Sequence, residues 1–227
     1  MATNGRYMER NSKTIMGLKN KIKNNRFVRG LYFFVKAYFG YSRKSFGYIA
    51  ERVVLTPPLV VSNPHNLYIG DNVGIGGNAH LSCLNAKCII KGNAAIAHGF
   101  SVHTGNHAHI KGMFITDITE ANKPKGYDED VIVEKDVWIG CNVTLLSGVT
   151  VGRGCTIAAG AIVAKSTPPY AVIGGVPAKF IKFKWTIDEI LKHESVLYSE
   201  EERFSRKELE TIFAQYQKNK NTNINNT

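Results

Sequence analysis

The chain has 227 residues, 29 Lys and Arg against 18 Asp and Glu, and four cysteines. That length supports one well-buried domain with appendages. Cys83, Cys88, Cys141 and Cys155 show neither a C-x-x-C pair nor zinc-ribbon spacing, which reads as buried or semi-buried free thiols in a reducing compartment; with no signal-peptide layout in residues 1–11 and no charge-free apolar run of 18, a cytoplasmic protein is expected.

The net charge of +11 is concentrated at one end: residues 1–50 hold eleven Lys or Arg and a single acid, Glu9, while the rest is nearly balanced. From Ser12 to about Tyr41, Ile15, Leu18, Ile22, Phe27, Leu31, Phe34, Val35 and Tyr38 recur at helical spacing among Lys19, Lys21, Lys23, Arg26, Arg29 and Lys36. The pattern predicts one or two basic amphipathic helices. Either the apolar stripe packs on the body of the protein and the charge is a solvated face, or residues 12–44 lie on an anionic membrane surface. Nothing beyond charge speaks for nucleic acid. Residues 51–68, with Thr56-Pro57-Pro58 and Asn63-Pro64, predict an irregular first coil ahead of a regular region.

From Ile69 on, an aliphatic residue returns every sixth position: Ile69 and Ile75; Ile90, Ile96 and Val102; then Val133, Ile139, Leu145, Val151, Ile157 and Val163. Two residues before each, from Ile139 on, stands a second apolar residue (Val137, Val143, Val149, Cys155, Ala161), and residues two apart on an extended chain face the same side. Each unit therefore sends two side chains inward. Three residues after the aliphatic come Asn72, Asn78, Asn93, Gly99, Gly105, Asp136, Asn142, Gly148, Gly154 and Gly160, types that enter positive φ readily and so turn a corner. Short strand, corner, short strand, repeated, describes a parallel β-helix. After Leu81 the next aliphatic comes nine residues later, which places a three-residue insertion at the corner around residues 83–87.

Between Val102 and Val133 the frame is lost for 31 residues, in a segment opening with His103-Thr104-Gly105-Asn106-His107-Ala108-His109. So long an excursion from a strict solenoid reads as functional. Residues 121–130, rich in Lys, Pro, Gly, Asp and Glu, read as a solvated loop. After Val163, Thr167-Pro168-Pro169 stops the ladder, and residues 172–177 form a last partial coil. Thr186 with Glu189 and Ser205 with Glu208 fit the capping-box pattern, predicting helices from Ile187 and Arg206. The tail from Gln217 to Thr227 is too polar to order itself.

These units, with the ending Gly174-Gly175-Val176-Pro177-Ala178-Lys179, resemble the hexapeptide repeats of the left-handed parallel β-helix acyltransferases across residues 60–184. The expected fold is mainly β, divided into a basic helical segment 1–55, a β-helix 56–184 with an excursion loop 108–131, and C-terminal helices with a disordered tail 185–227. The resemblance supplies the left hand of the coil, a homotrimer with active sites between subunits, acetyl-CoA as co-substrate, and no metal. It makes His107 the general base, a role that needs a proton acceptor working near neutral pH while a hydroxyl attacks a thioester. Trp138 would line the pantetheine channel, beside Cys141, which stands where the family has a small polar residue, often serine. Ala159 and Gly160 would touch the pantetheine arm, and Lys165 and Lys179 the phosphate end. Asn106, His103, His109 and Asp117 are weaker acceptor-binding candidates, Asp117 also as an acidic partner for His107.

The implied activity is acetyl transfer to a hydroxyl of a sugar or polysaccharide precursor. A xenobiotic, antibiotic or small-sugar acetyltransferase remains open. So does a metal enzyme of the carbonic anhydrase kind, since His103, His107 and His109 form H-x3-H-x-H, although no further histidine or acid follows at suitable repeat positions. The non-catalytic alternative is a trimeric scaffold at a membrane.

Overall fold

The structure, a computed structural model, describes residues 25–224. It divides into two units after Ser42. In the first, helix α1 (Arg26–Phe39) starts where the Asn25 side chain accepts hydrogen bonds from the N–H groups of Phe27 and Val28 at 2.9 and 3.2 Å, satisfying two donors that the helix itself cannot. Phe27, Leu31, Phe34, Val35 and Tyr38 form its apolar stripe and are all exposed. The helical periodicity expected at Ile15, Leu18 and Ile22 lies outside the described residues.

The second unit is a three-faced parallel β-helix. Its coils run through β1 (Tyr48–Ile49), β2 (Val53–Leu55) and β3 (Leu59–Val61); β4 (Leu67–Ile69), β5 (Val73–Ile75) and β6 (Ala79–Ser82); and β7 (Cys88–Ile90), β8 (Ala94–Ile96) and β9 (Ser101–His103). After the excursion follow β10 (Val131–Val133), β11 (Val137–Ile139) and β12 (Thr144–Leu145), then β13 (Thr150–Val151), β14 (Thr156–Ile157) and β15 (Ile162–Val163). Every third strand shares a sheet: β1-β4-β7-β10-β13 make the first face, β2-β5-β8-β11-β14 continued by β16 (Ala171–Gly175) and β17 (Ala178–Phe183) the second, and β3-β6-β9-β12-β15 the third. All pairs are parallel except the closing β16–β17 hairpin.

The sixfold residues stack in register. Ile69, Ile90, Val133 and Val151 form one ladder; Ile75, Ile96, Ile139, Ile157 and Ile173 a second; and Leu81, Val102, Leu145 and Val163 a third. All are buried, as are Val137, Val143, Val149, Cys155 and Ala161. Stacking like aliphatics fills the interior of the prism, which is where burial stabilises this fold. Of the ten expected corners, nine have positive φ, from 47° at Asn93 to 79° at Gly148. Gly105 does not: there the chain leaves the coil instead of turning.

The coil also begins earlier than expected. Ile49, Leu55 and Val61 already stand six apart and pair with Ile69, Ile75 and Leu81, so strands occupy part of the segment read as helical up to residue 55, and the first coil is regular. The period was hidden because its corner positions are Arg52, Pro58 and Pro64 rather than Gly, Asn or Asp; the prolines fall outside the strands, where a missing N–H breaks no ladder.

Corners pack backbone on backbone. A Cβ at Gly70 would lie 2.0 Å from the Lys91 carbonyl oxygen. Gly70→Ala is therefore expected to destabilise the protein by about 2 kcal/mol or more, read as a fall in Tm; an unchanged Tm would show that the coils can separate at this corner.

Helices α2 (Ile187–Leu197) and α3 (Arg206–Ile224) follow. Both capping boxes form: the Glu189 N–H donates to Thr186 Oγ1 at 3.3 Å and the Thr186 N–H to Glu189 Oε2 at 2.8 Å, with the same exchange between Ser205 and Glu208. Ile190 and Leu209 pack with Tyr170 beside Trp185, Phe204 and Phe213. The backbone stays helical to Ile224, past Gln217 where order was expected to end. Once the capped first turns and Leu209 nucleate α3, each further residue adds a hydrogen bond at little cost, even in a polar sequence.

Candidate active site

The excursion leaves and re-enters the coil at one point. The Glu129 N–H is shared between the Thr104 carbonyl at 3.0 Å and Ser147 Oγ at 3.0 Å, and the Ser147 hydroxyl donates to the Thr104 carbonyl at 2.9 Å. Thr104 is buried, its hydroxyl donating to the Ala86 carbonyl at 3.0 Å. Lys87 N–H donates to Asp130 at 2.7 Å. The insertion at residues 83–87 is thus the shelf on which both limbs rest.

Just beyond this clip stand Asn106 and His107, both exposed. Among the described residues the His107 side chain has no hydrogen-bond or ion-pair partner. His109 is also exposed. His103 lies at the end of β9 with its Nε2 3.2 Å from Ser101 Oγ and its ring edge-on to His80, centroids 6.5 Å apart. Asp117 sits in a single 3-10 turn (Ile115–Asp117) and is exposed. Its carbonyl accepts from Asn122 Nδ2 at 3.1 Å, and no hydrogen bond or ion pair joins it to His107 among the described residues. No three His, Cys, Asp or Glu side chains come together as a metal site among the described residues.

The other predicted residues lie elsewhere on the prism. Trp138 points outward from β11 on the second face, 59% exposed, over a groove of about 600 Å³ floored by Gly74, Ala95 and Ala97. Cys141, Ala159 and Gly160 occupy the edge between the second and third faces, where the Gly160 N–H donates to the Cys141 carbonyl at 2.8 Å. Lys165 follows β15, on the same edge as the excursion, and is exposed; Lys179 is exposed on β17, paired with Gly174 beside the Cys141 edge. A single chain therefore holds two separate groups: His107 with Lys165 on one edge, and Trp138, Cys141, Ala159, Gly160 and Lys179 around another.

The Cys141 edge suits a narrow ligand. A Cβ at Gly140 would lie 2.7 Å from the Ala159 N, so the backbones there are already in contact, while one at Gly160 would meet nothing within 4 Å. Bare backbone thus borders open space, the arrangement that lets peptide groups pair with an extended amide-bearing chain.

Two residues were missed. His98 is exposed on this edge, its carbonyl accepting from the Asn142 N–H at 2.9 Å; it stands two after Ile96, as Cys141 stands two after Ile139 and Ala159 two after Ile157, and aligning the units would have revealed the column. Asp128 is the other. It is largely covered, and although burial raises its pKa, hydrogen bonds from Lys123, Asn106 and Asn85 hold it below the usual carboxylate range. It is therefore ionised at neutral pH. The signal was the acidic run Asp128-Glu129-Asp130 at the point of return.

Comparison with known proteins agrees with this architecture. The family model for the bacterial transferase hexapeptide (six repeats) matches residues 130–165. A protein of Lysinibacillus sphaericus named "Probable macrolide acetyltransferase" is 33% identical over 164 residues, covering 66% of this chain and 88% of that protein. The hexapeptide-repeat containing acetyltransferase of Vibrio cholerae O1 biovar eltor, solved with acetyl coenzyme A, superposes with a TM-score of 0.56 at 21% identity, over 72% of this chain and 92% of that one. A galactoside acetyltransferase solved with coenzyme A gives a TM-score of 0.56 at 22% identity, over 78% and 87%. The chain is a left-handed parallel β-helix and belongs to the hexapeptide-repeat acetyltransferase family.

Proposed function

We propose that this protein moves an acetyl group from acetyl-CoA directly to a hydroxyl of a sugar or polysaccharide precursor, with His107 as general base, at sites between the subunits of a homotrimer. The observation that carries the reading is the state of His107: it stands three residues beyond Thr104, where the Glu129 N–H and the Ser147 hydroxyl clip the chain to the coil, and its imidazole has no hydrogen-bond or ion-pair partner among the described residues. A base held in place and left free to take a proton is what the chemistry requires.

Bound acetyl-CoA supplies an activated acyl carbon with a thiolate leaving group. His107 accepts the hydroxyl proton as the acceptor oxygen attacks, and returns it to the departing sulfur, so no acyl-enzyme forms. A backbone N–H on the Cys141 edge stabilises the tetrahedral oxyanion. Ala159 and Gly160 border the pantetheine arm, Trp138 walls the channel, and Lys165 and Lys179 meet the phosphates. Asn106, His103, His109 and Asp117 would contact the acceptor. The two separated groups become one site when the His107 edge of one subunit meets the Trp138 side of the next, which supports the trimer.

A second reading is favoured by the Lysinibacillus sphaericus relative, whose name specifies a macrolide: the acceptor hydroxyl would then belong to a xenobiotic. Incubating the protein with acetyl-CoA and a panel of maltose, a thiogalactoside and a macrolide, read by mass spectrometry, separates the two. Gain of one acetyl by a sugar supports the first reading, gain by the macrolide alone the second, and no gain by any of them counts against both.

No helix among the described residues is long and apolar enough to cross a membrane. Helix α1, with an exposed aromatic stripe, Arg26, Arg29 and Lys36, and no acid in its first turn, supports contact with the inner face of an anionic membrane. Removing residues 1–40 is expected to abolish cosedimentation with phosphatidylserine vesicles while acetyl transfer continues; equal cosedimentation without them would contradict this contact.

A further inference from the structure

We infer that Asp128 is a positioning residue for His107: its carboxylate fixes the Gly105-Asn106-His107 backbone and thereby sets where the imidazole stands. This rests on His107 being the base.

Four observations converge on that carboxylate. Oδ1 accepts the N–H of Asn106, the residue immediately before His107, at 3.0 Å. Both oxygens accept from Lys123 Nζ, at 2.7 and 2.6 Å, with the Lys123 and Asp128 side chains only 9% and 15% exposed. Oδ2 accepts from Asn85 Nδ2 at 3.1 Å, and Asn85 belongs to the corner insertion. A Cβ at Gly105 would lie 3.0 Å from Oδ1. Gly105 is not there for a left-handed φ; a Cβ on it would sit tightly against the carboxylate that reaches the next peptide, and one of the two would have to shift by a few tenths of an ångström.

One charged group thus joins the outgoing limb, the returning limb and the shelf beneath them. Among the described residues the His107 side chain has no hydrogen-bond or ion-pair partner, so the placement of its ring is inherited from the backbone that Asp128 holds. A carboxylate accepting charge-assisted hydrogen bonds in a largely covered position is a stiff anchor. Displacement of a catalytic group by about 1 Å costs on the order of a hundredfold in rate.

The test compares Asp128→Ala, Asp128→Asn and Gly105→Ala, each alone and combined with His107→Ala. The reaction is thiol release from acetyl-CoA, with p-nitrophenyl-β-galactoside as probe acceptor and water as acceptor in its absence. Asp128→Ala is expected to lower kcat about 30-fold or more with the KM for acetyl-CoA within about twofold. Asp128→Asn, which keeps an acceptor for the Asn106 N–H, recovers to within about fivefold. Gly105→Ala, which leaves the anchor's own chemistry untouched, lowers kcat in the same direction and keeps the measurement readable if Asp128→Ala folds poorly. In the His107→Ala background none of the three lowers the residual rate further, because the effect passes through the imidazole.

An Asp128→Ala kcat within twofold of the parent, a change confined to KM, or an equal loss with and without His107 would overturn the inference. His107→Ala alone at parental turnover would instead remove the reading beneath it, and that single variant tells the two failures apart.

Discussion

On the proposed mechanism, His107→Ala is expected to lower turnover about a hundredfold or more at unchanged acetyl-CoA affinity, the cost of losing a positioned general base. The side chain is exposed and makes no hydrogen bond or ion pair among the described residues, so its removal leaves no orphaned partner and no cavity. Substitutions of that kind stay within about 0.5 kcal/mol of the parent in stability. The loss therefore appears in kcat and neither in Tm nor in the acetyl-CoA dissociation constant. Parental turnover in this variant would end the assignment of His107, whatever the acceptor.

Glu194→Ala produces the largest loss of stability. Glu194 is fully buried and its carboxylate accepts from three donors: Tyr170 Oη at 2.8 Å, Arg153 Nη1 at 3.0 Å and the Phe204 N–H at 2.6 Å. Burial first, and then the neighbouring Glu194, raise the Tyr170 phenol far above its ordinary range, so it remains a donor at every working pH. The Arg153 guanidinium, whose buried Nε has no hydrogen-bond partner among the described residues, also covers the Tyr198 ring at 4.3 Å. Alanine at 194 leaves the Tyr170 hydroxyl and the Phe204 N–H without their acceptor and takes the carboxylate from Arg153, whose Nη1 keeps only the Glu202 carbonyl at 2.7 Å among the described residues, at a cost of about 3–5 kcal/mol. For a chain of this size the cost corresponds to a fall in Tm of roughly 6–20 °C. Glu194 ties the C-terminal helices to the last coil through Arg153, Tyr170 and Phe204, none of them assigned to the site, so turnover per folded molecule is expected to stay unchanged. A fall of less than about 2 °C would mean that the cluster is not the fastening its geometry describes.

The coil was legible because each of its requirements is local. An inward position needs an apolar residue and most corners take a positive φ, so Ile139 and Asn142 declare their places without reference to the rest of the chain. The first coil escaped notice because Ile49, Leu55 and Val61 keep the period while Arg52, Pro58 and Pro64 withhold the corner signal. Gly105 misled in the opposite sense, matching the corner pattern without taking a left-handed φ.

His107, Trp138 and Cys141 could be named from their places in the frame together with the family resemblance. The Asp128 anchor and the Glu194 cluster could not, because they join residues 22 and 41 positions apart or similar (Asn106 with Asp128, Arg153 with Glu194), and no short-range pattern encodes those meetings. The same holds for the separation of His107 from Trp138, which follows from the faces they occupy and not from their spacing.

The most direct measurement is the melting temperature with and without acetyl-CoA, each in the presence and absence of a chelator. A ligand at about 100 times its Kd stabilises the native state by roughly 2.7 kcal/mol, or about 5–11 °C for a protein of this length. A rise of that order, unaffected by chelator, is the predicted result. No rise with acetyl-CoA, together with a fall on adding chelator, would contradict acetyl-CoA-dependent transfer and point to a metal at the same histidines.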